Sequence, residues 1–409
     1  MTSIHSPKTV TNSLFATISW LLAPVEPEHF FRNHWEKQPL IIDRDCTTYY
    51  ESVLTLDDID KILASGSIRQ PAITLVKNGK TIPFGVLHTN ELITQPVLHD
   101  ALLEQYRQGA TVILQFLHER WQPLAELSSN LANELSAGLQ ANVYMTPRNA
   151  KGFASHYDDH DVFVLQVAGQ KCWQIDQQAT VYLPNPKDLE KAPPNTKRSR
   201  RKFLLQQGDC VYIPRGWAHE AASTDTSSAH ITLGVNSLTW ADILRSAVED
   251  ASSDDLLRES LPPGFATDEA TLSDAERKLA DHLRKFIGSL DPAHLVNEAA
   301  LIARRAGEIP SIGRIPDLEL AASISDSTRV RRRLEVDHRI EYDEAHSVLY
   351  FRGKLVTFPP HVAPALEFTS SAVEFTPAEL PGGLDHDGRM VFVSRLIEEG
   401  FLQVIDHSS

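Results

Sequence analysis

Two short motifs carry side chains that could bind a metal ion. His156 and Asp158 stand at the start of a run of β-branched and aromatic residues, which predicts a strand. Because residues two apart on a strand share a face, both side chains should point the same way. Together they supply two thirds of a two-histidine, one-carboxylate site. Such a site suits Fe(II) and leaves about three coordination positions open.

A third ligand is available downstream, at His219. Residues 208–219, G-D-C-V-Y-I-P-R-G-W-A-H, predict a turn, a short apolar strand, a Pro/Gly turn and then the histidine. A barrel or sandwich can bring His219 across from the first pair. The alternative interpretation is a surface His/Asp pair and an unrelated core histidine. A zinc hydrolase is disfavoured, because Glu220 should point to the opposite face and no other base is evident.

The elements that must position these groups lie between residues 141 and 239. Short apolar runs alternate there with turns, which favours a double-sheet jelly roll, the cupin architecture. Before this region, helical and strand patterns mix; they include a helix predicted over residues 121–138 and a hairpin at Asn78-Gly79. After Trp240 the apolar spacing becomes helical, and from about residue 310 helices and a hairpin suggest a winged-helix-like module.

Composition restricts the class of protein. The 409 residues have a net charge of -15, which argues against broad attraction to nucleic acid or an anionic membrane. Residues 311–409 also hold more acidic than basic residues despite four arginines within 329–333, so direct DNA binding is not expected. Three cysteines without a C-x-x-C motif suggest a reducing, cytoplasmic setting. We find no apolar run of membrane-spanning length and no secretory signal.

A polar insert, residues 184–202, interrupts the strand-rich region and ends in the basic run K-R-S-R-R-K. Its simplest interpretation is a solvated loop. The functional alternative is a mobile flap that helps to hold a substrate.

Joined to residues 142–147 (N-V-Y-M-T-P) and 169–173 (G-Q-K-C-W), the two metal motifs resemble those of JmjC-type ribosomal oxygenases. These are cupin-fold protein hydroxylases that depend on Fe(II) and 2-oxoglutarate. The resemblance includes residues 30–42, F-F-x-x-x-W-E-K-Q-P-L-I-I. It implies an α+β chain with three domains: a double-stranded β-helix (the cupin or JmjC jelly roll) over 1–240, a helical dimerisation domain over 241–309 and a winged-helix-like domain over 310–409.

The resemblance assigns roles to six of the residues named here. His156, Asp158 and His219 match the iron ligands, and so the catalytic centre. Lys171 matches the lysine that pairs with the distal carboxylate of 2-oxoglutarate, and Tyr144 and Thr232 resemble further hydroxyl donors to it. The local pattern agrees for the lysine, since it alternates with apolar strand residues and a buried ammonium needs an anionic partner. The alternative interpretation is that Lys171 extends along the strand to place its ammonium in solvent, and that Tyr144 and Thr232 are ordinary strand residues.

Three positions bear on the substrate. Asn142 matches a position that contacts substrate in the histidyl hydroxylases of this group. Gly234 stands where those enzymes carry a serine that helps to hold the substrate, and His160 replaces an aliphatic residue. The extra imidazole could contact substrate, compete for metal, or be only a polar residue at the barrel mouth.

We therefore expect an oxygenase that uses O2 to hydroxylate a side chain of a protein or peptide, with histidine or arginine of a ribosomal protein favoured. Tailoring of a peptide natural product and N-methyl-lysine demethylation remain open. The alternative from another class is a cupin or winged-helix scaffold that only binds a partner, but such a module has no reason to keep the three metal ligands together with Lys171.

Overall fold

The computed structural model is a mixed helical and β-structure built around one large bent sheet. The residues that it describes are 17–65, 72–83, 95–188, 199–251, 255–306, 313–333, 336, 338–342, 345–352 and 354–405. In the first half, helices α1–α5 span Ile18–Leu22, Pro27–Asn33, Leu56–Ala64, Gln95–Arg107 and Gln122–Leu135. The strands β1–β9 span Leu40–Ile42, Ile73–Lys77, Lys80–Ile82, Thr111–Leu114, Ala137–Thr146, Asp161–Asp176, Arg200–Gln206, Cys210–Ile213 and His219–Ser237.

The second half begins with four helices, α6–α9, which span Trp240–Ala251, Glu269–Ser289, Pro292–Ala306 and Arg314–Ala321. The strands β10–β13 span Val330–Arg332, His338–Tyr342, Ser347–Phe351 and Lys354–Phe358. Helix α10, strand β14, helix α11 and strand β15 then span Ala363–Ser371, Glu374–Phe375, His386–Glu399 and Leu402–Val404. These strands form two three-stranded antiparallel sheets, ordered β14-β10-β15 and β11-β12-β13.

The two longest strands, β6 and β9, organise the large sheet. Its order is β1-β8-β6-β9-β5-β4-β2-β3, with β7 also paired to β6, and every pairing is antiparallel. Strand β6 pairs with β9 along both of its halves, but the register shifts between Gln166 and Lys171. A shift of this kind is a bulge, which bends a strand and changes the face that its side chains take.

The bulge reverses the alternation of side chains along β6. Before it, Val162 and Val164 line an interior cavity, while Phe163 and Leu165 pack in the outer core. After it, the cavity is lined by odd-numbered residues, Lys171 and Trp173. Without the extra residue, strand alternation would turn Lys171 away from the cavity.

Gly169 makes the bulge possible. Its φ is +62°, and a Cβ atom there would lie 2.0 Å from the backbone oxygen of Ser227. Both the left-handed backbone and the close approach of the neighbouring strand require glycine.

Phe30 joins the N-terminal helices to the sheet. Its ring packs edge-on against Tyr212 with centroids 4.8 Å apart and also contacts Phe163. The Tyr212 hydroxyl donates a hydrogen bond to Asp161 at 2.8 Å and accepts one from the backbone N–H of Glu36 at 2.9 Å. The aromatic run at residues 30–35 is therefore a packing feature that covers one face of the barrel.

Several local predictions can be compared with the structure. The hairpin at Asn78-Gly79 joins β2 to β3, with both turn residues at positive φ. The helix predicted over residues 121–138 was too long: α5 ends at Leu135, Ser136 adopts a left-handed conformation, and Gly138 already lies in β5. The sequence pattern also predicts a helix over residues 90–108; its first five residues fall outside the described residues, and α4 ends at Arg107. The domain boundaries near residues 240 and 310 stay predictions.

Among the residues that the structure describes, no helix combines the length and the apolar character needed to cross a membrane. The three cysteines, Cys46, Cys172 and Cys210, are free thiols.

Replacing Phe30 by alanine should lower the free energy of unfolding by about 3–5 kcal/mol, because a fully buried aromatic ring leaves a cavity. The neighbouring Phe31, 39 % exposed, is the matched control, and its alanine variant should lose about 1 kcal/mol or less. Urea denaturation of both variants measures the difference. Equal losses of stability would contradict the packing role of Phe30.

Candidate metal centre

Three side chains converge at the mouth of the cavity: His156, Asp158 and His219. The Nε2 atom of His219 lies 3.6 Å from one carboxylate oxygen of Asp158, and Nε2 of His156 lies 3.9 Å from the other. One ligand atom from each residue falls within 4.8 Å of the others, so a single ion can contact all three. The set of two imidazoles and one carboxylate fits an Fe(II) ion with free coordination positions.

Backbone hydrogen bonds hold the two histidines opposite each other. The N–H of His156 donates to the carbonyl of His219 at 3.1 Å, and the N–H of His219 donates to the carbonyl of His156 at 2.8 Å. The rings consequently face each other with centroids 4.5 Å apart. A third bond, from the N–H of Gly216 to the carbonyl of Asp158 at 2.9 Å, fixes the carboxylate-bearing residue to the same turn.

Each imidazole is also oriented through its second nitrogen. Nδ1 of His156 lies 2.9 Å from the carbonyl of Ala154, and Nδ1 of His219 lies 3.0 Å from the carbonyl of Trp217. A carbonyl can only accept, so Nδ1 carries the proton and Nε2 presents its lone pair to the centre. Metal-binding histidines are typically held in this way.

The surroundings keep His219 in its neutral form. Burial, with help from the neighbouring His156, lowers the pKa of His219 from 6.5 to about 4. A neutral imidazole is the form that binds metal. The side chain of His156 is 42 % exposed whereas that of His219 is 8 % exposed, so the centre opens to solvent on one side only.

The cavity behind the centre has a volume of about 240 Å³. The structure brings all the other residues singled out in the sequence to its walls: Asn142, Tyr144, His160, Lys171, Thr232 and Gly234. They come from β5, β6, β9 and the segment before β6. Asn142 and Tyr144 meet the cavity because residues two apart on a strand share a face, and the same holds for Thr232 and Gly234. His160 lies before β6, which begins at Asp161.

Lys171 lies at the closed end of the cavity. Its side chain is buried, and burial lowers the pKa of its ammonium from 10.5 to about 7. The Nζ atom donates to the hydroxyl of Thr146 at 3.1 Å, which is itself 3.2 Å from the hydroxyl of Thr111. A buried ammonium with only a neutral hydroxyl partner is costly unless an anion joins it.

Two aromatic rings form the wall beside Lys171. The rings of Tyr144 and His230 stack in parallel with centroids 4.9 Å apart. Burial raises the pKa of Tyr144, and burial together with the charge of Lys171 holds the pKa of His230 well below its usual value. His230 is a cavity residue that the sequence analysis missed. Its position two residues before Thr232 on β9 was the available signal.

At the open end, the polar groups are held by local contacts. The amide oxygen of Asn142 accepts a hydrogen bond from the N–H of Phe116 at 3.0 Å. Nδ1 of His160 lies 3.1 Å from a carboxylate oxygen of Asp159. Among the described residues, His160 is not part of the group that could hold one ion. The geometry thus favours a role for His160 in lining the cavity over competition for the metal.

The carboxylate of Glu220 is paired with two cationic side chains. It accepts from Lys151 at 2.6 Å and from Arg200 at 2.8 Å. These cations lower the pKa of Glu220. An ionised, paired carboxylate is a poor general base. The expectation that Glu220 points to the opposite face is not borne out, because Glu220 is among the residues that line the cavity.

The basic run after the polar insert is only in part a loop. Residues 189–198 lie outside the described residues, whereas residues 200–202 begin strand β7 and Arg200 is bound to Asp176 and Glu220. For residues 200–202 both interpretations, a solvated loop and a mobile flap, were wrong, because these residues pair with β6 as part of β7.

Comparison with known proteins agrees with this geometry. The sequence pattern of the JmjC domain matches residues 115–243. The chain is 31 % identical over 270 residues to human ribosomal oxygenase 1, covering 60 % of this chain and 39 % of that protein. It is 32 % identical over 237 residues to the bifunctional lysine-specific demethylase and histidyl-hydroxylase NO66 of Aedes aegypti, covering 55 % of this chain and 36 % of that protein.

Among solved structures, the Escherichia coli ribosomal oxygenase YcfD, in complex with cobalt and 2-oxoglutarate, superposes with a TM-score of 0.51 at 15 % identity. The match covers 94 % of this chain and 99 % of that one. Fold and sequence together define a JmjC protein of the cupin type. The resemblance of the motifs to those of the JmjC ribosomal oxygenases is confirmed by these similarities, and residues 115–243 are a JmjC domain. The chain spans about two fifths of the length of these two curated relatives.

Replacing His219 by alanine should weaken Co(II) or Mn(II) binding by more than about a hundredfold, since removing even an outer partner of a ligand typically costs 10–100-fold. His160→Ala is the matched control, because it removes an imidazole from the same cavity and should leave metal affinity within about twofold. Titration calorimetry of the metal-free protein measures both. Equal weakening in the two variants would contradict the three-residue assignment.

Proposed function

We propose that the protein is an Fe(II)- and 2-oxoglutarate-dependent oxygenase that hydroxylates an amino-acid side chain of a protein or peptide. The observation that carries the proposal is the convergence of His156, Asp158 and His219 in a single cavity whose wall also includes the buried Lys171. A binding scaffold would not require this combination. The related YcfD structure, which contains cobalt and 2-oxoglutarate, supports the same assignment.

In this proposal, the three ligands hold Fe(II) through two Nε2 atoms and a carboxylate oxygen. The metal and 2-oxoglutarate, when bound, supply the activation of O2. Lys171 pairs with the far carboxylate of the cosubstrate, which satisfies its otherwise costly buried ammonium. Tyr144 and Thr232 line the same cavity and can donate hydroxyl hydrogen bonds. The protein's own work is to position these groups and to exclude water.

A second cavity supports a polypeptide substrate. It has a volume of about 770 Å³, begins at His160 and continues past Arg215 to the start of α6 near Trp240. His160 lines both this groove and the cavity of the metal centre. A substrate polypeptide that lies in the outer groove could therefore place one of its side chains over the metal. A small free substrate would not need the outer groove.

His160 and Gly234 form a matched pair at the junction of the two cavities. A Cβ atom on Gly234 would lie 2.8 Å from Cδ2 of the His160 ring and 2.9 Å from its Nε2. A serine at position 234 and this imidazole position therefore exclude each other. In this proposal, the imidazole of His160 takes the place of the serine that helps to hold the substrate in the histidyl hydroxylases. We keep histidine or arginine of a ribosomal protein as the proposed target, with a peptide natural product or N-methyl-lysine as alternatives.

The proposal extends to the assembly. Helices α6–α8 expose apolar side chains, among them Trp240, Leu244, Val248, Leu283 and Ile287, which supports burial against a second copy of the chain. We therefore retain a helical dimerisation domain and a homodimer. The two small sheets with α9–α11 are proposed to form the winged-helix-like domain, with a role in protein contact, and the protein is proposed to work in the cytoplasm.

Purified protein with Fe(II) should convert 2-oxoglutarate to succinate slowly alone and faster with a substrate, and mass spectrometry of ribosomal proteins should show the gain of one oxygen atom. Loss of a methylene would instead indicate demethylation. Asp158→Ala, which removes the only carboxylate among the three ligands, should abolish both signals. A fully active Asp158→Ala variant would rule the proposal out.

Replacing Lys171 by methionine should weaken 2-oxoglutarate binding and at the same time stabilise the cosubstrate-free protein. It should weaken 2-oxoglutarate binding at least tenfold, measured by calorimetry with Mn(II) under nitrogen. It should also raise the free energy of unfolding of the cosubstrate-free protein by about 1–4 kcal/mol, the range found when buried charges give way to apolar residues.

The pH dependence follows from the lowered pKa of Lys171. The folded protein has a pKa of about 7 at this group against an ordinary 10.5, so the penalty for burying it is complete below about pH 7 and disappears as the pH rises to 10.5. The stability gained by Lys171→Met should shrink over that window. A loss of stability with unchanged 2-oxoglutarate affinity would make Lys171 a structural residue.

A further inference from the structure

A second concentration of charge lies far along the chain from the metal ligands, where helix α8 meets the sheet of β11–β13. A half-open cavity of about 330 Å³ lies between them. Five cationic side chains line it: Arg304, Arg305, Arg339, Arg352 and Lys354. No carboxylate is among its lining residues in the described part of the chain.

A neighbouring cavity of about 390 Å³ extends this surface. The two cavities share Arg304 and His338, and the second adds Arg332. Its lining, within the residues described, again includes no Asp or Glu. We call the two cavities together the basic cleft.

Two of these cations lie beside a carboxylate. Arg339 lies 3.1 Å from Glu341, and Lys354 lies 3.1 Å from Glu399, with both cations close to half-exposed. Arg304 and Arg305 are exposed at the end of α8 and have no ion pair with any described residue. Like charges gathered around one cavity repel one another, and a bound anion relieves that repulsion.

The chemistry of the walls indicates the kind of anion. Guanidinium groups offer planar, bidentate donors that suit phosphate. The guanidinium of Arg339 also lies 4.8 Å from the centre of the Tyr350 ring, so an aromatic face stands beside the cations. Two adjoining basic cavities suit an anion that carries several phosphate groups better than one that carries a single group.

We propose that the basic cleft binds a ligand with several phosphate groups, either the backbone of a nucleic acid or a free polyphosphate. The site is independent of the oxygenase reaction, because none of its residues lines the cavity of the metal centre. The net charge of -15 does not contradict this proposal. Electrostatic interactions are screened within about 10 Å at 0.1 M salt, so a bound anion responds mainly to the charges that line the cleft.

The test uses the full chain and two probes, a fluorescein-labelled single-stranded RNA of mixed sequence, followed by anisotropy, and inorganic tripolyphosphate as competitor. The double variant Arg304→Glu/Arg305→Glu should bind the RNA at least tenfold more weakly in 50 mM NaCl. The control, Arg284→Glu/Lys285→Glu, makes the same charge change at adjacent exposed positions of α7 and should stay within about twofold.

The salt dependence adds a second measurement. If the two arginines bind phosphates, the slope of log affinity against log salt should fall by about 0.7 for each phosphate that the variant no longer binds. The milder Arg304→Gln/Arg305→Gln variant should show the same fall, which guards against misfolding caused by charge reversal. Slow turnover of 2-oxoglutarate should be unchanged in all these variants, so failure here is distinct from failure of the oxygenase proposal.

The results with the two probes distinguish a nucleic-acid backbone from a free polyphosphate. Tight RNA binding that tripolyphosphate displaces only at large excess indicates a nucleic-acid backbone, and binding of tripolyphosphate with weak RNA binding indicates a free polyphosphate. The proposal is overturned if neither probe binds in 50 mM NaCl, if the α7 control weakens binding equally, or if polyglutamate competes as well as tripolyphosphate.

Discussion

The reciprocal pair of backbone hydrogen bonds between His156 and His219 is the constraint on which the centre depends. It joins two segments that are distant in the chain and sets the separation of the two imidazoles before any metal arrives. The carbonyls of Ala154 and Trp217 then fix the rotation of each ring. Since backbone atoms hold the geometry, the side chains are free to serve only as ligands.

The two ends of the cavity differ in their exposure to solvent. The side chain of His156 at the candidate metal centre is 42 % exposed, whereas Lys171 and His230 are buried with few polar partners. Those buried groups reduce the stability of the empty protein, and a bound anionic cosubstrate offsets the cost. The cost of burying these groups therefore favours the binding of an anion at this end of the cavity.

Much of this site was predictable because strand alternation is a strong rule. Asn142 and Tyr144 on β5 line the cavity together, and so do Thr232 and Gly234 on β9. The strand predicted to begin at His156 was wrong, because β6 begins at Asp161 and His156 forms only an isolated bridge with His219. His230 was missed although it obeys the same rule, because a histidine inside an apolar strand has no motif around it. The end of α5 was misplaced because Ser136 in a left-handed conformation interrupts a helical pattern that continues in the residue types. The basic cleft could not be predicted, since its arginines come from separate elements and the whole chain is acidic.

The bulge at Gly169 has a consequence for how relatives of this chain can vary. The number of residues between Val164, which lines the cavity before the bulge, and Lys171 sets whether the ammonium meets the interior or the outer surface. An insertion or deletion of a single residue in this interval would exchange the two faces and expel the cation. In relatives of this chain, the residue types in this interval can therefore vary, but its length cannot change by an odd number of residues.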